Sequence, residues 1–261
     1  MKYKLVAGVI AKDEEWIIDK TVSALTRFCD LVVVYDDGST DKTEAICRSY
    51  DKVVWKVRPS HDPLVREEAK QRLELIDLVG EHDPDYVLLL DADEIPTPSI
   101  VPFLDTVESP VRRNTNLFRT RMINLWEDES KYRVDSYITR FGTSVQWDPF
   151  TPNAWVKFPL LKYDRNERYA YNLHVQKGGC SRYHPAPQNV PDPVENQEDF
   201  YIMHYGKLAS DFINGERFKF YARIEALDGR GSYEQRLGWH MEHNRHHTCE
   251  TRPTKKEWFW K

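Results

Sequence analysis

The first hundred residues alternate short, mainly apolar runs with amphipathic segments, and few folds accommodate such an alternation. The runs have the length of buried strands, and in the segments between them apolar residues recur every three or four positions, as on one helix face. Strands that alternate with helices form a parallel sheet covered on both faces. The pattern therefore predicts an α/β fold. The predicted strands are residues 5–11, 31–35, 53–57 and 86–90, and the predicted helices are residues 18–28, 41–50 and 65–79.

The alternation becomes less regular beyond residue 100. The best strand candidates there are residues 117–125 and 199–203, and residues 210–227 have the pattern of a helix. Four prolines fall within residues 184–195, and such a stretch in a compact domain is typical of a lid or binding loop. In the first half, Asp41 and Glu44 predict a capping box at the start of the second helix.

The size, charge and cysteine content of the chain narrow its class. The 261 residues carry a formal net charge of −5, which argues against a dedicated nucleic-acid-binding protein. No apolar stretch reaches about 20 residues, the length that spans a bilayer. The four cysteines are widely spaced, which is typical of reduced thiols. We therefore expect a cytoplasmic protein with no transmembrane segment.

Acidic residues follow two of the predicted strands at the point where each strand ends. Asp36 and Asp37 come directly after the second strand, and Asp91, Asp93 and Glu94 follow the fourth. Ligands of open α/β folds bind where the carboxyl ends of parallel strands meet. Neighbouring carboxylates repel one another unless a cation offsets their charge. The two motifs therefore predict a divalent-metal site that carries substrate phosphates.

Two stretches and one histidine of this sequence resemble a known family. Residues 33–43 and 87–94 resemble the two signature stretches of family 2 glycosyltransferases with the GT-A fold. His204, followed by Tyr205 and Gly206, is similar to the C-terminal segment that supplies a metal-binding histidine in many of these enzymes. The resemblance implies a GT-A type α/β fold in a single domain, with a Rossmann-like, mostly parallel sheet and helices on both faces.

The resemblance also implies a division of the chain. Residues 1–228 would form the glycosyltransferase domain, with residues 1–107 as the nucleotide-sugar-binding half and residues 108–228 as the acceptor-binding half. Residues 229–261 would be a C-terminal extension.

A nucleotide site is implied at the ends of the first two strands. In the family pattern, Ala11 and Asp13 would border the nucleotide, and Asp36 and Asp37 would hydrogen-bond its base and ribose. An ionised carboxylate suits that role because it is purely an acceptor.

A metal site is implied beside the nucleotide. Asp91 would lie against the ribose or a metal-bound water, Asp93 would ligate Mn²⁺ or Mg²⁺ directly, and His204 would supply a further ligand. An imidazole ligand favours Mn²⁺ over Mg²⁺. Arg66, or Lys70 in its place, is similar to a helix-borne cation that meets the nucleotide.

The reaction implied by the resemblance is sugar transfer from a nucleotide-diphosphate-sugar to an acceptor hydroxyl, with inversion. Inversion calls for a carboxylate that takes the hydroxyl proton as general base. Asp128 and Asp148 are equal candidates for that base, and Glu94 is expected to support the metal site or the acceptor. The acceptor is a glycan or another hydroxyl-bearing molecule, with a nucleic acid among the open alternatives.

Two other functions would use similar residues. A nucleotidyltransferase also places carboxylates and Mg²⁺ beside a nucleotide, but it should have a basic, glycine-rich loop after the first strand, where Gly8 stands alone. The second alternative is an inactive nucleotide-sugar-binding module of the same fold. The sequence leaves the donor sugar and the oligomeric state open.

The C-terminal residues carry two further signals. Residues 240–249 hold four histidines and a cysteine at spacings that a zinc site could use, although a basic helix or tail is the other interpretation. Trp258, Phe259 and Trp260 would be costly in water, so we expect them to dock on the body of the protein or on a second subunit.

Overall fold

The computed structural model describes residues 3–59, 68–138, 144–151, 154, 156–170, 187, 189–190, 194–209, 211–227, 229, 231–243 and 249–261. The strands among these residues are β1 (Leu5–Ala11), β2 (Leu31–Asp36), β3 (Val53–Val57), β4 (Tyr86–Asp91), β5 (Glu94–Pro96), β6 (Leu117–Trp126), β7 (Asp128–Arg133), β8 (Ser136–Ile138), β9 (Ser144–Gln146), β10 (Val156–Lys162), β11 (Val194–His204) and β12 (Thr251–Pro253). The helices are α1 (Ile18–Leu25), α2 (Thr43–Cys47), α3 (Glu68–Gly80), α4 (Ile100–Leu104), α5 (Asp211–Leu227) and α6 (Tyr233–His243), with a 3-10 helix at Lys256–Trp258.

Ten of the described strands form one sheet. Its order is β12-β7-β6-β10-β4-β1-β2-β3, with β11 beside β6 and β5 beside β11. The neighbours β3, β2, β1 and β4 run parallel, as the alternation of strands and helices predicts. β10 is antiparallel to both β4 and β6, and β11 is parallel to β6. The predicted α/β class with a mainly parallel, GT-A type sheet in a single domain is confirmed.

The central strand β1 is buried on both faces. Leu5, Ala7 and Val9 belong to the apolar cluster that covers one face, and Val6 belongs to the cluster on the other. Because successive side chains of a strand point to opposite faces, a strand covered on both sides is a continuous apolar run. The pattern at residues 5–11 therefore predicts the strand with its observed bounds.

The predicted capping box at the start of α2 is wrong. The N-cap residue is Lys42, which makes no side-chain capping hydrogen bond. Asp41 accepts hydrogen bonds from the backbone N–H groups of Thr43 (2.9 Å) and Glu15 (2.9 Å), whereas Glu44 pairs with Arg48 one turn along the helix. The Asp41 carboxylate thus ties α2 to the loop after β1.

The second half of the chain adds strands that the sequence pattern does not predict. The predicted strand at 117–125 is β6, the one at 199–203 is the end of β11, and the predicted helix at 210–227 is α5. β10 is unpredicted, although it joins the two halves of the sheet. Most of the proline-rich stretch lies outside the described residues. Within the described ranges, no helix combines the length and the apolar character that crossing a membrane requires.

Residues 251–260 return to the body of the domain. β12 pairs with β7, and Trp258, which is 6% exposed, lies against the ring of Tyr132 with 5.5 Å between centroids. Trp260 stacks on Phe28 at 5.5 Å. The aromatic C-terminal residues therefore dock on the body of the protein, which is the first of the two sites expected. The proposed boundary at residue 228 stays a prediction.

Candidate active site

Strand pairing brings the acidic motifs and His204 to one edge of the sheet. Asp36, the last residue of β2, lies beside Ala11, the last residue of β1. Asp91 ends β4, which is parallel to β1 on its other side. His204 ends β11 and lies beside Glu94 of β5. Ala11, Asp36, Asp91 and His204 are the last residues of their strands, and open α/β folds bind their ligands at the carboxyl ends of parallel strands.

Asp93 and His204 face each other at this edge. Asp93 Oδ2 lies 3.6 Å from His204 Nε2, and the other ring nitrogen, Nδ1, lies 2.8 Å from Asn124 Oδ1. Because an amide oxygen only accepts, Nδ1 carries the proton and Nε2 keeps its lone pair toward Asp93. Burial lowers the pKa of His204, which favours the neutral ring. A neutral imidazole and a carboxylate are the forms in which these groups bind metals.

Asn124 is the residue that orients His204. The two residues are directly opposed in the β6–β11 register, and Asn124 is completely buried. Its Nδ2 has no hydrogen-bond partner among the residues that the structure describes. A buried, unpaired amide group costs about 1–3 kcal/mol, so packing alone does not account for an asparagine here.

Gly206 leaves space for the side chains of Asp93 and His204. The backbone N–H of Tyr205 donates to the Asp93 carbonyl (2.8 Å), which holds the segment after β11 against the Asp93 loop. A Cβ atom at position 206 would lie 2.7 Å from Asp93 Oδ2 and 2.8 Å from His204 Nε2. Any side chain at this position would therefore displace both groups.

Asp91 is paired with two cations. One oxygen accepts a hydrogen bond from Arg72 of α3, and the other lies 3.7 Å from Lys157 Nζ of β10. Burial alone would raise the pKa of Asp91, but Arg72 and Lys157 hold it well below its usual range. The structure thus gives Asp91 a role in placing two cations at the site, and its expected place at the metal stays a prediction.

The buried side chain of Glu94 stabilises the turn between Asp91 and Glu94. It is 2% exposed, forms an ion pair with Lys157, and accepts a hydrogen bond from the backbone N–H of Asp91 (3.2 Å). Burial raises the pKa of Glu94, against the opposing effect of Lys157. These contacts fit the expected supporting role of Glu94.

Arg217 of α5 reaches into the site from the other side. It forms an ion pair with Glu14, and its Nη1 lies 3.8 Å from Asp93 Oδ2. Trp16 Nε1 donates to the second Glu14 oxygen (2.7 Å). Burial and the nearby charge of Asp93 raise the pKa of Glu14 to about 8, although Arg217 opposes the shift.

Asp36 shapes the turn that follows β2. Its carboxylate, which is 3% exposed, accepts hydrogen bonds from the backbone N–H groups of Gly38 (3.1 Å) and Ser39 (3.0 Å). Gly38 has a φ of 84°, a conformation that favours glycine. The carboxylate of Asp36 is therefore engaged by its own turn, and its expected contact with the nucleotide stays a prediction.

Asp37 lies on the more open side of that turn and is held by a buried arginine. Its backbone N–H donates to the carbonyl of Ala11 (2.9 Å), and its carboxylate lies 3.2 Å from Arg58 Nη1. The Arg58 side chain is 4% exposed and also contacts Glu74, which accepts a hydrogen bond from the Tyr35 hydroxyl. This network fixes the direction of the Asp37 carboxylate.

Asp13 closes the loop after β1. It has a φ of 52°, and its carboxylate accepts a hydrogen bond from the Thr40 backbone N–H (2.7 Å). Asp13 thereby joins the ends of β1 and β2 around the expected nucleotide position. Arg66 lies outside the described residues, and its alternative, Lys70, is an exposed residue 3.9 Å from Glu74.

The two candidates for the general base lie toward β7 and β12. Asp128 is exposed, and its carboxylate accepts hydrogen bonds from Ser130. Asp148 is 7% exposed, and its oxygens accept hydrogen bonds from the Phe150 backbone N–H (3.0 Å) and from Arg252 (2.9 Å). Both carboxylates are thus engaged locally, and neither assignment is decided by these contacts.

The histidine-rich segment begins in a buried ion cluster. His240 Nε2 lies 3.2 Å from Glu225 Oε2, which also accepts a hydrogen bond from Arg236 (2.5 Å). This cluster joins α5 to α6. Residues 244–248 lie outside the described residues, so the zinc interpretation stays untested.

The residues at the edge fit a divalent metal that is completed by substrate. Two atoms that each ligate one ion at about 2.1 Å lie roughly 3–3.5 Å apart, close to the 3.6 Å between Asp93 Oδ2 and His204 Nε2. The described residues contain no cluster of three or more histidine, cysteine or acidic side chains that could hold an ion by themselves. Phosphate oxygens or water would therefore occupy the other ligand positions of the ion.

Four residues of this site are not predicted from the sequence. Asn124 and Lys157 carry a local signal, since each is a single polar residue within an apolar run. Glu14 follows β1 and could be found by the strand-end rule that finds Asp36. Arg72 carries no local signal, because helix α3 brings it to the site from another part of the chain.

The sheet defines an α/β protein whose acidic residues and His204 lie at the edge where open α/β folds bind their ligands. Residues 7–183, more than half of the chain, match the family described as Glycosyl transferase family 2. The chain therefore belongs to that family, and the predicted family and enzyme class are confirmed at this level.

One individual relative matches a much smaller part of this chain than the family does. A lipopolysaccharide core biosynthesis glycosyltransferase, LpsC, of Rhizobium meliloti (strain 1021) is 37% identical over 62 residues, which cover 24% of this chain and 23% of LpsC. This chain thus matches less than a quarter of that curated relative.

Two solved structures are similar to this chain at low sequence identity. Glucosyl-3-phosphoglycerate synthase from Mycobacterium tuberculosis, solved with Mn²⁺, UDP-glucose and phosphoglyceric acid, is 22% identical with a TM-score of 0.34, covering 47% of this chain and 44% of that one. S. aureus TarS 1-349 is 15% identical with a TM-score of 0.47, covering 91% of this chain and 70% of that one.

Proposed function

We propose that the protein transfers a sugar from a nucleotide-diphosphate-sugar donor to an acceptor hydroxyl, with a divalent metal ion and with inversion at the anomeric carbon. The observation that supports the metal is the pairing of Asp93 Oδ2 with His204 Nε2 at 3.6 Å, with Nδ1 of the histidine held by Asn124. The family match supports the transfer.

Asp93 and His204 would hold the ion, and the histidine favours Mn²⁺ over Mg²⁺. A bound ion would stabilise the negative charge that develops on the leaving diphosphate. Arg72 and Lys157 offset the charges of Asp91 and Glu94. Asp93 shares one cation, Arg217, with Glu14, so its charge is offset less completely and an added cation can offset the rest.

The nucleotide would lie over the ends of β1 and β2. Asp37 is the best-placed acceptor for the base, because Arg58 and the Ala11 carbonyl fix its direction while the side chain stays 22% exposed. Asp13 and Asp36 shape the two loops that meet there. Arg66, which lies outside the described residues, or Lys70 in its place, is proposed to meet the nucleotide.

The general base is proposed to be Asp128 or Asp148. Their present partners are Ser130 in one case and Arg252 in the other. Separate substitutions to asparagine distinguish them, because loss of the base lowers kcat by roughly 10²–10⁴-fold and leaves donor binding unchanged. The acceptor class, the oligomeric state and a cytoplasmic location stay predictions.

A thermal-shift screen of nucleoside diphosphates and nucleotide-sugars, with and without Mn²⁺, tests this function. A ligand that binds only the folded state raises Tm, so we expect the largest rise when a nucleotide-sugar and Mn²⁺ are present together. The absence of any rise with any nucleotide and Mn²⁺ would contradict the proposal. Release of nucleoside diphosphate from the ligand that shifts Tm most distinguishes an enzyme from an inactive binding module.

A further inference from the structure

Arg217 contacts the carboxylate that we assign to the metal. Its Nη1 lies 3.8 Å from Asp93 Oδ2, the same oxygen that lies 3.6 Å from His204 Nε2. The other guanidinium nitrogen, Nη2, forms an ion pair with Glu14. The side chain is 23% exposed, so water does not fully screen these contacts.

A metal ion at Asp93 and His204 would share that oxygen with Arg217. Two cations that are brought together in a partly buried site repel each other strongly, because the effective dielectric constant there is far below that of water. An anion that lies between them removes the repulsion and is attracted by both. A diphosphate has the charge and the oxygen atoms for this position, and arginine matches phosphate geometry.

We propose that Arg217 makes metal binding depend on the diphosphate group of the donor. It competes with the ion for Asp93 when no diphosphate is present, and it favours the ion once a diphosphate lies between them. This inference rests on the proposed metal site. It predicts that the metal and the nucleotide bind cooperatively, with a coupling that passes through one side chain.

The surroundings of Arg217 keep the side chain in place when Asp93 turns to the metal. Glu14 holds Nη2, and the guanidinium carbon lies 5.7 Å from the centroid of the Trp16 ring. Trp16 in turn donates a hydrogen bond to Glu14 (2.7 Å). Arg217 therefore keeps two contacts at the site that do not involve Asp93.

The test is Mn²⁺ binding to the full chain, followed by electron paramagnetic resonance, for the wild type, Arg217→Gln and Asp93→Ala. Without nucleotide, we expect Arg217→Gln to bind Mn²⁺ roughly fivefold or more tightly than the wild type. If Arg217 only supported the structure of the site, its loss would weaken Mn²⁺ binding. Tighter Mn²⁺ binding by the variant therefore indicates that Arg217 competes with the ion. Arg48→Gln, which removes an exposed arginine paired with Glu44, is the matched control and should leave binding unchanged.

A second measurement adds UDP or GDP, whichever raises the wild-type Tm. The nucleotide should raise the Mn²⁺ affinity of the wild type. The same nucleotide should raise the Mn²⁺ affinity of Arg217→Gln by a smaller factor. Unchanged or weaker Mn²⁺ binding by a folded Arg217→Gln protein would overturn this inference and leave the proposed metal site standing. If wild type and Asp93→Ala bind Mn²⁺ equally with nucleotide present, the proposed metal site itself is wrong.

Glu14→Gln provides an independent check if Arg217→Gln does not fold. This variant keeps the arginine but removes the charge that Glu14 carries above its pKa of about 8. In that pH range Arg217 is then left with Asp93 as its acidic partner among the described residues of the site. We expect weaker Mn²⁺ binding in the absence of nucleotide. Tighter binding by Glu14→Gln would contradict the competition.

Discussion

His204 and Asn124 are opposed residues of the parallel strands β11 and β6, and a 2.8 Å hydrogen bond joins the ring Nδ1 of one to the side-chain oxygen of the other. The strand register brings the two side chains to the same level, and the hydrogen bond then selects the histidine tautomer. The nitrogen that remains free, Nε2, faces Asp93. A sheet pairing thus determines which atom of His204 is available as a ligand.

Replacement of Asn124 by leucine should weaken Mn²⁺ binding. Removing a partner that orients a metal-binding histidine costs roughly 10- to 100-fold in affinity. Asn124→Asp retains an acceptor for Nδ1 and is the control, which should bind more tightly than the leucine variant. Equal affinities of the two variants, measured by Mn²⁺ titration, would show that the hydrogen bond does not matter.

Gly206→Ala should abolish Mn²⁺ binding while the fold persists. The added methyl group would lie 2.7 Å from Asp93 Oδ2 and 2.8 Å from His204 Nε2, and these side-chain ends move more easily than backbone. Gly215→Ala in α5 is the control, because its Cβ would meet nothing within 4 Å. That change should keep metal binding and stabilise the helix by up to about 1 kcal/mol. Normal Mn²⁺ affinity in Gly206→Ala would contradict the assigned position of the ion.

Glu225→Gln should destabilise the protein at neutral pH, and less so in acid. Burial opposes ionisation of Glu225, but hydrogen bonds from His240 and Arg236 prevail and lower its pKa from 4.5 to about 2. Because the folded pKa lies below the unfolded one, the stabilisation is complete above about pH 4.5 and is lost as the pH falls toward 2. At pH 7 we expect a loss of roughly 3 kcal/mol, since the change leaves a buried arginine without its partner.

Urea unfolding at several pH values measures this difference. The difference in unfolding free energy between the wild type and Glu225→Gln should decrease below pH 4.5. Glu216→Gln on the same helix breaks only an exposed pair with Lys219 and should cost about 0–1 kcal/mol. A gap that stays constant across the acid range would show that Glu225 is not ionised in the folded protein at neutral pH.

Trp258→Ala should cost roughly 3–5 kcal/mol of unfolding free energy, as for other large buried aromatic residues. The side chain is 6% exposed and lies 5.5 Å from Tyr132 and 6.2 Å from Phe150, measured between ring centroids. Val111→Ala, at a position that is 87% exposed, should change stability by about 0.5 kcal/mol or less. Similar denaturation midpoints for the two variants would mean that the aromatic C-terminal residues contribute little to the fold.

The parallel half of the fold is predictable because its signals are local. Strands β1, β2 and β4 are buried on both faces, so each of them appears in the sequence as a continuous, mainly apolar run, as at residues 5–11. The acidic residues at the strand ends follow from the same reasoning, since parallel strands end at one edge. Asp36, Asp91 and Asp93 are thus brought to that edge as predicted.

The partners of the site's cations could not be predicted, because long-range packing brings them together. Lys157 lies on β10, whose antiparallel pairing with β4 connects distant parts of the chain. Arg217 meets Glu14 across a separation of 203 residues. The Asp41 carboxylate likewise accepts a hydrogen bond from the backbone of Glu15, 26 residues away in the chain, in addition to one from Thr43. No local pattern records these contacts.

The central claim is that Asp93 and His204 hold a catalytic divalent ion, and Mn²⁺ titration of Asp93→Asn in the presence of a nucleoside diphosphate tests it most directly. Asparagine keeps the shape of the side chain and removes its charge. The account predicts one Asp93-dependent Mn²⁺ ion per wild-type chain, and at least about tenfold weaker binding by a variant that melts at the wild-type temperature. Wild-type Mn²⁺ affinity in Asp93→Asn would contradict the claim.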